Sequence, residues 1–251
     1  MTDRGSTYRD PKWLLALAIP VLLLGGAIGW FAHAGSGGSL GPGDRTAVEN
    51  VVRDYILENP EILPQAMENL QRRESAAQLS GIRDEVETPF PGAVLGNPKG
   101  SVTLVEFSDY ACGYCRQSVE HVKQLIAANP DLRVVMREMP ILSPESTDAA
   151  RMALAAARQG KYAAFHDAMF AAGRPSDATI EAAARAAGLD LARARQDARD
   201  PAIEAELAGN LDLGRRIGFN GTPSWIVGDS IMAGAVGVET LSRAIEEQGG
   251  A

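Results

Sequence analysis

Cys112 and Cys115 are the only two cysteines of the chain. They stand two residues apart, where an apolar run of strand type, Val102 to Phe107, gives way to a helical stretch from Gly113 to about Ala128. That placement puts the first thiol at the opening turn of a helix, where unpaired backbone N–H groups and the positive end of the dipole favour a thiolate. The spacing points to redox chemistry. Cys112 is the expected nucleophile and leaving group, and Cys115, one turn further on and less exposed, the resolving thiol. Gly113 and Tyr114 lie between them and bear on how well the thiolate is stabilised. Two other uses of the same atoms stay open: a structural disulfide, whose loop is too short to stabilise much, and a two-coordinate Cu(I) site. A disulfide scaffold, a four-cysteine zinc site and an iron–sulfur cluster held by this chain alone are excluded by the count.

Glu106 is the second residue with chemical promise. It stands in the apolar strand six residues before Cys112, where a lone carboxylate is costly unless hydrogen-bonded or neutral. Arg133 and Arg137 are the charge partners available in sequence. His121 and His166 have no second histidine near them in sequence and read as structural or surface residues. Met152, Phe165, Met169 and Phe170, at helical spacing, read as core.

These residues need elements to position them. Val102–Phe107, the helix at 113–128 and a second apolar run, Leu132 to Met136, form a βαβ unit of a parallel sheet. Ser143-Pro144-Glu145 opens an alanine-rich helical region, a capping residue followed by proline at the first position. Gly160, Gly173-Arg174-Pro175, Gly188 and Asp200-Pro201 divide it into four or five helices ending near Ile217-Gly218. Ser224–Val227 and Ile231–Ala235 then read as a hairpin around Gly228-Asp229-Ser230, and a last helix runs from about Val238 to Gln248. Before the unit, residues 88–101 are rich in Pro and Gly and mark a boundary. Residues 46–87 show helical spacing broken at Asn59-Pro60-Glu61, which predicts two helices whose apolar stripes pack on the main domain or on copies of themselves.

The composition of the 251 residues, 45% hydrophobic and 22% charged, suits a globular chain, and a net charge of −8 argues against nucleic acid as a partner. Trp13 to Ala32 carries no charge over twenty residues, enough to cross a bilayer as a helix. Arg4, Arg9 and Lys12 precede it, so the N-terminus (1–12) is expected in the cytoplasm and the remainder outside. Ala32-His33-Ala34 offers a cleaved signal peptide as the alternative. Either way the cysteines reach a compartment where a disulfide persists. Residues 35–45 read as a flexible spacer.

The segment Val105-Glu106-Phe107-Ser108-Asp109-Tyr110-Ala111-Cys112-Gly113-Tyr114-Cys115-Arg116 resembles the active-site segment of the DsbA family of exported thiol–disulfide oxidoreductases, and Gly221-Thr222-Pro223-Ser224 resembles that family's cis-proline loop. The stretch from Val51 to Asn69, with Tyr55-Ile56-Leu57-Glu58-Asn59-Pro60-Glu61-Ile62-Leu63, resembles the oligomerising N-terminal region of the suppressor of copper sensitivity protein C (ScsC-like) branch. The resemblance implies an α/β, thioredoxin-like fold over 88–251 with a helical insertion at about 143–217, preceded by the membrane helix at 13–32 and an oligomerising helical region at 46–87. It implies a cis Pro223 beside the disulfide, a Thr222 backbone that pairs with substrate, and Glu106 as a buried proton relay. It implies no cofactor beyond the Cys112–Cys115 disulfide, exported cysteine-containing proteins as substrates, a membrane redox partner, self-association with a trimer as one arrangement, and location at the inner membrane facing the periplasm. The Gly113-Tyr114 pair and a threonine rather than valine before Pro223 resemble disulfide isomerases of the DsbC type. Isomerase or reductase is therefore expected over dithiol oxidase, with Thr222→Val moving the protein toward oxidase behaviour.

Overall fold

A computed structural model describes residues 41–249. The Trp13–Ala32 run, the cleavage-site alternative and the start of the 35–45 spacer lie outside these residues; among the described residues no helix is long and apolar enough to cross a membrane. The chain divides after Pro64 into two compact units. In the smaller, α1 (Pro42–Glu58) ends at Asn59, whose side-chain amide donates to the Tyr55 carbonyl at 2.9 Å. Asn59 thus closes a helix rather than opening one, and α2 (Ile62–Leu79) starts at Ile62. Val48, Val51, Val52, Tyr55 and Leu57 are all exposed on α1.

The larger unit begins at Gln65, well before the boundary expected near residue 88. The reason is burial: Ser75 and Leu79 of α2 and Val86 of α3 (Arg83–Glu87) are covered within it. The helical stretch is therefore three helices, not two. A five-stranded sheet follows, β1 (Val94–Gly96), β2 (Val102–Ser108), β3 (Leu132–Glu138), β4 (Ser224–Val227) and β5 (Ser230–Ala233), in the order β1-β3-β2-β4-β5. β2 and β3 are parallel and joined by α4 (Gly113–Ala128), the expected βαβ unit, while the other pairings are antiparallel. The three-residue β1, inside the Pro/Gly-rich segment, is too short to show an alternation.

Between β3 and β4 the insertion forms α5 (Pro144–Arg158), α6 (Tyr162–Ala172), α7 (Asp177–Ala186), α8 (Leu191–Asp197) and α9 (Pro201–Ile217). Its punctuation works as read: Ser143 accepts from the Ser146 N–H at 3.1 Å ahead of Pro144, Asp200 accepts from the Ala202 N–H at 2.8 Å ahead of Pro201, and Gly218 ends α9 at φ 87°. The closing helix α10 spans Val238–Gly249.

The pleat sorts β2 and β3 into two cores. Leu104, Leu132, Val134, Met136, Trp225 and Val227 face α4, α10 and most of the insertion. Val105, Phe107, Val135 and Ile226 pack with Leu79, Val86, Leu213 and Ile217 on the opposite side. α9 serves both, Ile203 and Leu207 in the first core, Leu213 and Ile217 in the second.

Arg137 of β3 joins the elements on that second side. It is 5% exposed, and its guanidinium donates to the carbonyls of Glu85, Val86 and Thr88, to Asn210 Oδ1 at 3.0 Å and to Glu206 Oε1 at 3.0 Å. A buried cation needs such a set, since desolvation works against its charge. Replacing Arg137 with alanine strands three backbone acceptors and a carboxylate, and is expected to lower unfolding stability by about 3 kcal/mol. Urea unfolding of the variant checks this, and a loss below about 1 kcal/mol would contradict it.

Candidate active site

β2 ends at Ser108, and Asp109 shapes the turn that follows. One carboxylate oxygen accepts from the Ala111 N–H at 2.7 Å, the two-residue reach of an Asx turn, and the other from the N–H groups of Ile141 and Leu142 at 2.8 and 2.9 Å. The Asp109 carbonyl accepts from the Cys112 N–H at 3.0 Å. The turn delivers Cys112 to the N-cap of α4 in extended conformation, where its sulfur accepts from the Cys115 N–H at 3.4 Å, as a serine or aspartate oxygen does at other caps.

Both cysteines are free thiols, and their surroundings split them. The bond from the Cys115 thiol, with the N–H groups of Cys115 and Tyr114 and the Thr222 side chain, outweighs burial and holds Cys112 at a pKa of about 5. Burial first, then the bond to Cys112 and the charge of Glu106, pushes Cys115 far above the ordinary thiol range. One sulfur is an anion at neutral pH and the other keeps its proton. The ionised thiolate therefore stabilises the reduced form fully above the ordinary thiol value, and that contribution is lost as pH falls through about 5.

The Thr222–Pro223 peptide bond is cis, and the Thr222 carbonyl oxygen lies 3.2 Å from Cys112 Sγ, where it accepts from the sulfur in its thiol form. The Thr222 hydroxyl is buried without a hydrogen-bond partner, yet it favours the anionic form of both sulfurs. Tyr114 is exposed, and a Cβ on Gly113 would meet nothing within 4 Å, so the face of the motif is open to a substrate.

Glu106 lies on the sheet face that α4 covers and is 2% exposed. Burial, then the charge of Glu138, raises its pKa to about 8; the charge of Cys112 adds to this and Ser108 opposes it. Neither Arg133 nor Arg137 is its partner. They pair across from Thr103 and Phe107, one residue out of phase with Glu106, so the pleat points them to the other face. Arg133 donates to Thr103 Oγ1 at 2.8 Å.

Glu138 escaped the sequence reading. It lies in phase with Glu106, 1% exposed, and its Oε1 receives the hydroxyls of Tyr162 at 2.6 Å and Tyr110 at 3.1 Å. Burial raises it to about 8. His166, expected as structural or surface, is buried 3.5 Å from the Tyr110 hydroxyl among the rings of Tyr110, Tyr162 and Phe170; burial lowers it to about 3 and it stays neutral. Phe165, Met169 and Phe170 are core, as expected. The available signal was phase: an acid an even number of residues beyond the start of the second apolar run, as Glu106 is in the first, with a tyrosine two residues before the first cysteine.

These contacts reverse the sign expected for Thr222→Val. The hydroxyl, unpartnered in the thiol form, turns its proton to the Cys112 sulfur when that ionises, so removing it should raise the Cys112 midpoint above about 5 and make the protein a weaker oxidant, by about 20 mV for that one hydrogen bond of ~1 kcal/mol. Thiolate absorbance against pH and equilibration with glutathione measure both quantities. An unchanged or lowered midpoint would restore the opposite sign.

The DSBA-like thioredoxin domain matches residues 103–246, and the copper resistance protein ScsC N-terminal domain matches residues 44–77. A thioredoxin-like oxidoreductase from Silicibacter pomeroyi DSS-3 is 42% identical, with a TM-score of 0.64 over 67% of this chain and 98% of that one. Proteus mirabilis ScsC in a transitional conformation is 27% identical, with a TM-score of 0.62 over 84% of this chain and 97% of that one. Among curated proteins, an Na(+)/H(+) antiporter NhaA of Salinispora tropica is 32% identical over 157 residues, 61% of this chain but 24% of the antiporter, so the likeness concerns about a quarter of that protein. Sulfur chemistry, sheet topology and these matches agree: the chain belongs to the DSBA-like thioredoxin-domain family and is a thiol–disulfide oxidoreductase of the DsbA and ScsC type.

Proposed function

We propose that the protein is an exported disulfide isomerase or reductase acting on cysteines of other exported proteins. The observation that carries the thiol–disulfide exchange is the opposite displacement of the two thiols around one helix cap, Cys112 down to about 5 and Cys115 far up; the choice of isomerase or reductase rests on the self-association argued below. The Cys112 thiolate attacks a substrate disulfide, forming a mixed disulfide and expelling one substrate sulfur, which takes a proton from solvent. Cys115 then gives its proton to the Glu106 carboxylate and attacks Cys112 Sγ, so the Cys112–Cys115 bond forms, the second substrate sulfur leaves as a thiolate, and the substrate is reduced by two electrons. In isomerisation a substrate thiolate attacks the mixed disulfide instead, and the pair is regenerated reduced. The Thr222 backbone beside Cys112 suits an extended substrate segment added as a strand, with Pro223 flanking the sulfurs. A redox partner in the membrane resets the pair, and the run at 13–32 holds the catalytic unit on the exported side.

Self-association supports isomerase over oxidase. Five large apolar side chains exposed along α1 need cover, and residues 44–77 match the ScsC N-terminal domain. Several sites in one assembly hold a substrate while its disulfides are reshuffled. The same match supports a second reading in which the two thiolates carry Cu(I) as cargo. Cu(I) retained one-to-one through gel filtration by a protein without turnover would favour it.

Two experiments test the main reading. Cys115→Ser should accumulate mixed disulfides with substrate while Cys112→Ser accumulates none; equal trapping by both would show the nucleophile to be misassigned. A chain starting at Gln65 keeps both cores, and should be a monomer that still reduces disulfides but has lost most activity in refolding scrambled substrates. Light scattering that finds the exported region monomeric before truncation would remove the oligomer from the mechanism.

A further inference from the structure

Beneath the redox pair the sheet buries two carboxyls where the resolving step uses one. Glu106 pairs across from Met136 and Glu138 across from Ser108, so the two acids are diagonal neighbours on one face, roughly 7–8 Å apart. Both tyrosine hydroxyls donate to the same oxygen of Glu138, which leaves Oε2 to bear any proton. One of those tyrosines, Tyr110, belongs to the turn that delivers Cys112. We infer that Glu138, held by Tyr110 and Tyr162, is a positioning residue of the redox site that shares one negative charge with Glu106 and so governs how readily Glu106 accepts the Cys115 proton. The inference rests on the reading of Glu106 given above.

The groups around Glu138 leave no cation to separate the two acids. Glu106 faces it from β2, Asp109 and Tyr110 from the active-site turn, and Tyr162 and His166 from α6, with His166 neutral. Lys123 of α4 is felt at His166 and pairs with Glu120 and Asp167. Arg133 and Arg137 lie out of phase on the other face. Two carboxylates so placed in a dry interior cannot both ionise freely: the charge on one keeps the proton on the other, and they titrate as a pair. Burial holds each at about 8, so the pair changes charge in the range where the resolving step must find a base.

The test uses the full chain, loaded at Cys112 with thionitrobenzoate as a chromophoric mixed disulfide, and follows its release by Cys115 from about pH 5 to about pH 9. Glu138→Gln keeps the Oε1 acceptor for both tyrosines and removes the charge. The midpoint of the release profile should fall by about 1 in pH, making release below it roughly tenfold faster. Tyr162→Phe withdraws one donor, holds Glu138 protonated and should shift the profile the same way by less; it stands in if the glutamine variant does not fold. Glu106→Gln should slow release and flatten the profile, and adding Glu138→Gln to it should change nothing. A Glu138→Gln profile that overlies the parent, with Glu106→Gln slow, would make Glu138 purely structural and overturn the inference. Equal acceleration by Glu138→Gln in the Glu106→Gln background would also overturn it, because the effect would bypass Glu106. Unimpaired release by Glu106→Gln would instead remove the Glu106 reading itself.

Discussion

The Cys115 N–H that meets Cys112 Sγ at 3.4 Å ties the protonation of the site to its folding. A helix start leaves several N–H groups without partners, and here the acceptor that meets one of them is also the reactive atom. The sulfur can fill that place only if the chain turns sharply between β2 and α4, which Asp109 secures with three backbone bonds. α4 must then lie flat on the sheet, which Val122 and Leu125 secure by burial. The Thr222 carbonyl arrives from the opposite end of the chain and meets the same sulfur. Nucleophile, cap and substrate-facing loop converge on one atom.

Burial divides the labour between the cysteines. Cys112 gains enough donors to be an anion although it is 6% exposed, whereas Cys115 sits wholly within the apolar core with a carboxyl nearby. Water cannot take the Cys115 proton at that depth, so the acceptor has to be built into the sheet. The cost of burying acids without cations is eased by the proton they hold up to about pH 8, leaving one charge to be shared, and by two phenolic donors on Glu138.

Much of this was legible in the order of residues. The CxxC spacing at a strand-to-helix junction, the apolar runs of β2 and β3, the Ser-Pro and Asp-Pro helix starts and the hairpin near Gly228-Asp229 all act over a few residues, and each element formed where read, with Ser230 joining the strand rather than the turn and β3 running two residues further. Other features depend on contacts across the fold. The partner of Arg137 is a set of carbonyls fifty residues upstream, invisible to charge matching. Glu138 ends a strand, where a solvated carboxylate is the ordinary outcome, and only the arrival of Tyr162 from the insertion makes it part of a buried network. β1 is three residues long and owes its existence to the free edge of β3. The start of the larger unit was misplaced because α2 changes character midway, exposed at Met67 and Leu70 and buried at Leu79, without any change in its helical spacing.

Arg137 grips the 85–88 segment mainly by main-chain oxygens, and every amino acid brings the same oxygen. Residue 88 is therefore free to drift in identity over generations without loosening the junction, residue 85 gives up only its exposed ion pair with Arg216, and Val86 answers only for its own packing. Position 137 has no such freedom. Lysine carries three donors on a single nitrogen and cannot span several acceptors at once, so even that substitution breaks the joint. Relatives that keep this junction should thus vary along the clasped segment while holding arginine on the strand, a lopsided pattern of tolerance that geometry alone imposes.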